Sequence, residues 1–347
     1  MEYTINKDYL QEVIKMLLTT PSPSGFCNEI MGKIEEKVKG LGYNFERTKK
    51  GCGVITIPGK NPEYTVGLSA HVDTLGAMVR SIKDSGTLRF TSIGGYMMST
   101  VEGEYCKVHT RNGKVYDGTV LTTQPSVHVY SEARTQKREE ANMEIRIDEQ
   151  VESKEDVEAL GIYTGDFISF DSRTVIMENG FIKSRHLDDK AGVAILFGLM
   201  ELLKSHNITP QNNIKIFISN YEEVGHGSAF IPEDIDEFIA IDMGAMGDDL
   251  NCTEMQVSIC AKDSSGPYDY DIVSKLISIA RDKDIDHAID IYPYYGSDAS
   301  AALRGGNNIK GALIGPGVHA SHSMERTHID ALINTTKLLT FYVMEKK

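Results

Sequence analysis

The sequence predicts an α/β protein, a mostly parallel sheet with helices on both faces, interrupted by a small β-rich unit. Three observations carry that prediction. Helix and strand patterns alternate through the first 72 residues and again after residue 180, as in parallel sheets whose crossover helices cover both faces. From about residue 74 to 174 the texture changes to short alternating segments with many glycines. The length of 347 residues exceeds what one hydrophobic core usually organises. We therefore expect a discontinuous α/β domain built from residues 1–73 and 175–347, with 74–174 inserted as a separate β-rich domain.

The elements follow in order. In residues 7–19, Leu10, Val13, Ile14, Leu17 and Leu18 recur at helical spacing, and Pro21, Pro23 and Gly25 end the helix. A second amphipathic helix follows at about 27–40. The β-like run Val54 to Ile57 comes next, then Tyr64 to Ser69, which leads directly into His71 and Asp73. In the inserted segment, Asn112-Gly113 and Asp117-Gly118 read as tight hairpin turns. Residues 132–160 are rich in charge and read as a solvated or subunit-contacting face, with Ser153 and Asp156 spaced to cap a short helix. Beyond residue 180 the pattern predicts a very apolar helix at about 190–204, strands at 214–219 and 238–241, and a helix at 271–283. Strands near 288–293 and 311–314 and a final helix at 329–344 complete it.

Composition removes several classes of function. Apolar residues make up 41% and charged residues 25%, an ordinary soluble balance that argues against disorder, collagen-like repeats and a coiled coil. With 36 basic against 50 acidic residues the net charge is −14, so a phosphate backbone is a poor partner. The first residues carry neither a basic nor an apolar leader region, and no stretch approaches the ~18 apolar residues of a spanning helix. We expect no membrane partner and a cytoplasmic location. Five scattered cysteines without a Cys-x-x-Cys pair predict buried free thiols rather than disulfides or a zinc knuckle.

Chemistry concentrates in five segments at the ends of predicted strands, the crevice where open α/β sheets bind ligands. In the first, strand alternation puts His71 and Asp73 on one side, so the aspartate can orient the imidazole while the other ring nitrogen binds a metal. A strand-end histidine and a turn aspartate explain the same residues. Asp188 and Asp189 precede the apolar helix, where capping competes with metal binding. Glu222 and Glu223 follow an apolar strand, and adjacent carboxylates repel unless a positive charge sits beside them. Asp242 ends a fourth strand and equally suits a turn. His319 and His322 share a loop after a fifth, and either could be a ligand. Together these supply a nitrogen and oxygen donor set without thiolate, suited to zinc, cobalt or manganese, and two such ions sharing a carboxylate favour hydrolysis.

The ordered segments AHVD, LDDKAG, EEVG, AID and ASHSMER, with Gly296-Ser297-Asp298-Ala299 before the last, resemble the cocatalytic dinuclear metallo-aminopeptidases that include glutamyl aminopeptidases and TET peptidases. The resemblance spans essentially the whole chain and implies two divalent ions, zinc or cobalt, with manganese possible. It implies Asp188 as bridging carboxylate, His71 and Asp242 on one ion, Glu223 and His322 on the other, and Glu222 as general base acting on a bridging hydroxide. Asp73 would stand behind the ligands. His322 is preferred over His319 because its spacing to Glu325 fits the family's His-x-x-Glu. The resemblance further implies short peptide substrates and homo-oligomers from dimers to twelve-subunit shells. Lys190 and Tyr221 depart from the residues relatives often carry, which leaves substrate preference open.

Three rival readings stand beside a peptidase. A metal-dependent deacylase or dipeptidase would use a similar ligand set. A glycosidase, a label such sequences attract, needs two carboxylates facing each other across a sugar, and neighbouring Glu222 and Glu223 suit that poorly. A peptide-binding scaffold with structural metals would not need an extra unligated acid such as Glu222.

Overall fold

The computed structural model describes residues 3–346. Helix Lys7–Leu18 starts at Asn6, whose side chain accepts the Tyr9 N–H at 3.1 Å and satisfies one of the free donors of the first turn. Its buried stripe is the five apolar residues named from spacing, and it packs against the long helix Leu187–Ser205. That helix is apolar nearly all round and is accordingly buried between the sheet and its neighbours.

Ten strands form the main sheet. At its centre Asn212–Ser219, Asn61–His71, Glu237–Ile241 and Lys310–Val318 lie side by side and parallel. The flanking strands Gly53–Ile57 and Val257–Asp263 run antiparallel to their neighbours. The four central strands therefore end at one edge, and the loops that leave them meet there. Helix Leu187–Ser205 comes close to this edge because residue 192 is glycine: a Cβ there would lie 2.1 Å from the Ile241 carbonyl oxygen. A separate three-stranded sheet, Val175–Ile176, Phe181–Ser184 and Glu325–His328, sets Glu325 opposite Ser184 and so ties the approach to Asp188 to the segment after His322.

Six strands, Gly76–Ile82, Leu88–Ile93, Met143–Ile147, Val115–Thr122, Tyr105–His109 and Phe167–Phe170, close in that order into a barrel. Val79, Phe90, Val108, Val120 and Ile145 fill it, forming a hydrophobic cluster distinct from that of the α/β body. The Asn112-Gly113 turn forms between the strands Tyr105–His109 and Val115–Thr122, with Gly113 at φ 83°. Asp117-Gly118 does not turn. It lies inside Val115–Thr122, where Gly118 pairs with both Cys106 and Ile147 and a Cβ would meet the Arg146 carbonyl at 2.9 Å, so this glycine serves strand closeness.

The charge-rich stretch 132–160 is likewise not wholly a solvated face. Met143–Ile147 within it is a barrel strand with Met143, Ile145 and Ile147 buried and Glu144 and Arg146 between them. The Ser153 and Asp156 capping box does form, at the start of helix Lys154–Leu160. Elements that the sequence reading does not predict include the strands Phe181–Ser184, Val257–Asp263 and Glu325–His328 and the short helix Asp298–Arg304. All five cysteines are free and buried. Among the described residues no helix is long and apolar enough to cross a membrane.

Candidate metal centre

His71 is the last residue of its strand, and its imidazole is buried. Nδ1 lies 2.9 Å from the Asp73 carbonyl oxygen, which can only accept, so Nδ1 carries a proton and Nε2 is the nitrogen turned toward the carboxylates. The orienting group is thus the backbone of Asp73 and not its carboxylate, whose nearer oxygen stands 3.7 Å away. That carboxylate is engaged elsewhere. It accepts the Ser24 hydroxyl and the N–H groups of Glu222 at 3.1 Å and Glu223 at 3.3 Å, fixing the turn that carries both glutamates.

Asp188 lies between two histidines. Its Oδ1 is 3.1 Å from His71 Nε2, and its Oδ2 is 3.3 Å from His322 Nε2 and 2.9 Å from the Ser321 hydroxyl. Glu222 approaches His71 Nε2 to 3.7 Å, and Glu223 approaches His322 Nε2 to 3.5 Å. His322 donates from Nδ1 to the Gly95 carbonyl, so its Nε2 is likewise the nitrogen turned toward the carboxylates. Asp242 shares one tight group with His71 and Asp189, while Asp188 and Glu223 share another with His71. The structure therefore brings together His71, Asp188, Glu222, Glu223, Asp242 and His322, with Asp73 behind them. His319 stays outside, exposed and bridged through its backbone to Arg326.

The electrostatics are those of too many buried acids. Burial, reinforced by the charge of Asp188, pushes Glu223 up to about 8 and Asp242 up to about 7. Burial and Asp242 raise Asp189 and Glu222 well above the carboxylate range. Burial acts on Asp188 too, but the hydrogen bonds from His322 and His71 outweigh it and hold this carboxyl below its ordinary range. Burial lowers the histidines, yet the surrounding acids prevail, raising His71 and bringing His322 to about 10. In addition, Glu223 Oε1 is buried with no hydrogen-bond partner among the described residues. An orphaned carboxylate oxygen beside two imidazole nitrogens and several acids that hold extra protons fits a cation, which would replace those protons.

Residues 51–338 match the M42 glutamyl aminopeptidase family. The chain is also 48% identical to the putative aminopeptidase YhfE of Bacillus subtilis over 333 residues, covering 96% of each. This chain belongs to the M42 family. The membership makes it a peptidase hydrolase of the metal-dependent aminopeptidase kind. Among solved structures, the TET1 peptidase of Pyrococcus horikoshii, which can assemble into a tetrahedron or a large octahedral shell, is similar at a TM-score of 0.85 and 25% identity, covering 97% of this chain and all of that one. An aminopeptidase from Desulfurococcus kamchatkensis shares the fold at a TM-score of 0.89 and 24% identity, covering 98% and 96%.

Two residues of this M42 site, Glu325 and Tyr295, were given no role by sequence reasoning. Glu325 accepts the N–H of His322 at 3.0 Å through one oxygen and that of Asp188 at 3.1 Å through the other, so it joins the two segments. Its signal was present in the His-x-x-Glu spacing, used there only to choose a histidine. Asp189 accepts the N–H of His71 and of Gly192, both at 3.1 Å, and so combines helix capping with holding the strand end. Tyr295 donates to the Met243 carbonyl at 3.1 Å beside Asp242, with its phenol raised by burial and by Asp242. No local pattern marks that tyrosine. His226 is exposed and stacked on Tyr221, ring centroids 4.9 Å apart.

Proposed function

We propose that this chain is a two-metal aminopeptidase removing N-terminal residues from short peptides. The span of the Asp188 carboxylate carries the reading, with Oδ1 3.1 Å from His71 and Oδ2 3.3 Å from His322. Two ligands each 2.0–2.1 Å from a tetrahedral ion lie roughly 3.3 Å apart. The side chains therefore have ligand spacing on both sides of Asp188, which supports one ion with His71, Asp188 and Asp242 and another with Asp188, Glu223 and His322. Both oxygens of Asp189 are taken by backbone N–H groups, so Asp188 is the better bridge. The nitrogen and carboxylate donors suit zinc or cobalt, and manganese could substitute. When bound, such ions polarise a carbonyl and make a nearby water more acidic.

Glu222 is the general base in this reading. It takes the proton of the attacking water and returns it to the leaving amine. Its side chain stands 3.7 Å from His71 Nε2, and burial with Asp242 raises its proton affinity above the ordinary carboxylate range. Asp73 acts as a positioning residue through the two backbone bonds it accepts. Residues 1–73 and 175–347 form the catalytic domain, and 74–174 the inserted domain for oligomerisation and substrate access, a division supported by the barrel's separate core. The assembly of the P. horikoshii relative supports homo-oligomers, from dimers to twelve subunits. Five free thiols support a reducing, cytoplasmic setting.

Glu222→Gln tests the central claim. It should retain both ions by elemental analysis and lose turnover by at least ~100-fold, the usual scale for a general base. Near-normal activity in the loaded variant would remove Glu222 from its role. A panel of aminoacyl nitroanilides, N-acyl amino acids and dipeptides separates the readings, since a deacylase should favour the blocked amine and a dipeptidase should need the free carboxylate that a nitroanilide lacks.

A further inference from the structure

A cavity of about 590 Å³ opens where the barrel meets the α/β body, and none of His71, Asp188, Glu222, Glu223, Asp242 and His322 lines it. Its volume falls in the range of small-ligand sites. Lys190 and His186 line its deep end, 1% and 8% exposed. The ammonium of Lys190 donates once, to the Thr20 carbonyl at 2.8 Å, and its other two N–H groups have no acceptor among the described residues. His186 forms no hydrogen bond with any described residue, although it is nine-tenths buried. Buried N–H groups without acceptors are costly, and a ligand carboxylate would supply what Lys190 lacks, with His186 beside it.

The mouth is different in character. Lys107 and Asp117 neutralise each other there at 2.6 Å, leaving the exposed carboxylates of Asp148 and Asp171 against the exposed Arg146. The cavity thus has an under-bonded lysine at its floor and a surplus acid at its rim, an order that matches a molecule with a carboxylate at one end and an ammonium at the other. We propose that this cavity binds a small zwitterion, a free amino acid or a dipeptide. Its carboxylate meets Lys190 and His186, and its ammonium lies toward Asp148 and Asp171. The assignment rests on the cavity alone and stands or falls independently of the peptidase reading.

Calorimetric titration of the metal-loaded protein with alanine, D-alanyl-D-alanine, N-acetylalanine and alaninamide tests it, the D-peptide resisting hydrolysis. Alanine or the D-dipeptide should bind, and each singly capped compound should bind at least ~10-fold more weakly, because each lacks one charged end. Whichever uncapped compound binds more tightly identifies the ligand's length. Thr119→Trp, which fills the mouth from the barrel wall, and Asp148→Lys, on the exposed rim, should each weaken that binding ~10-fold or more. Metal content and thermal midpoint should stay unchanged. Binding that survives both substitutions would put the ligand elsewhere and overturn the proposal. Equal affinity for the capped compounds, or no heat from either uncapped one, would do the same.

Discussion

Two groups of buried carboxylates sit on the same sheet edge and are satisfied in opposite ways. Asp298, at the start of helix Asp298–Arg304, accepts the hydroxyls of Ser69 at 2.9 Å and Ser219 at 2.6 Å and the N–H of Ser228 at 3.0 Å. These neutral donors come from two central strands and from the loop after Glu223, so the charge is spread over the protein and the carboxylate acts as a clamp. Around Asp188 the neighbours are two imidazoles, the Ser321 hydroxyl and other acids, and Glu223 keeps an oxygen with no partner among the described residues. A buried acid ringed by donors completes a fold, whereas acids facing acceptors leave room for a cation.

The sharpest way to break that contrast is to exchange the failures of the two groups. Asp188→Asn should lose metal and activity while leaving the fold largely intact. Lewis-acid stabilisation is worth several kcal/mol, so turnover should fall on the order of 10³-fold. Elemental analysis and a peptidase assay check both halves, and a loaded, active variant would end the bridging role. Asp73→Asn should cost less, about 10–100-fold in turnover with metal retained, the range seen when groups behind metal ligands are changed. Its effect should appear in kcat more than in KM, because it holds the Glu222 and Glu223 backbones and does not face substrate.

Asp298→Ala should show the complementary pattern. It strips acceptors from two fully buried serines and a buried N–H, each worth roughly 1–3 kcal/mol when left unpaired. We expect the thermal midpoint to drop by several degrees while the purified folded protein still takes up its full metal complement. A variant that keeps its midpoint but loses metal would show that Asp298 belongs with the ligands after all.

How much of this was legible in the sequence depended on range. The stripe of Lys7–Leu18 and the strand ending at His71 are local patterns, and both appeared where periodicity put them. Asp117-Gly118 misled because a glycine needed for close strand passage has the same spelling as a turn. The short helix Asp298–Arg304 has too few residues for periodicity to register. At the site, residue type and strand-end position identified the acids and histidines, but not which oxygen serves which donor. That Asp73 orients His71 through its carbonyl, or that Glu325 binds the N–H groups of His322, 3 residues away, and of Asp188, 137 residues away, depends on packing that no window of sequence contains.

The gentlest test uses pH. Without metal, Glu223 rises from its ordinary 4.5 to about 8, Asp242 from 3.8 to about 7 and His322 from 6.5 to about 10, burial acting on the acids and Asp188 on the histidine against its burial. Each folded-state value lies above the unfolded one, so between about pH 5 and about pH 8 the native protein holds more protons than the unfolded chain. Its stability must then fall as pH rises. One net proton corresponds to about 1.4 kcal/mol per pH unit, hence a midpoint change of roughly 2–5 °C per unit in the chelated protein. Divalent ions displace those protons, so the midpoint gained on adding zinc should grow over the same interval. A chelated protein whose midpoint is flat or climbs from pH 5 to 8 would mean that the acids around Asp188 are already balanced without a metal.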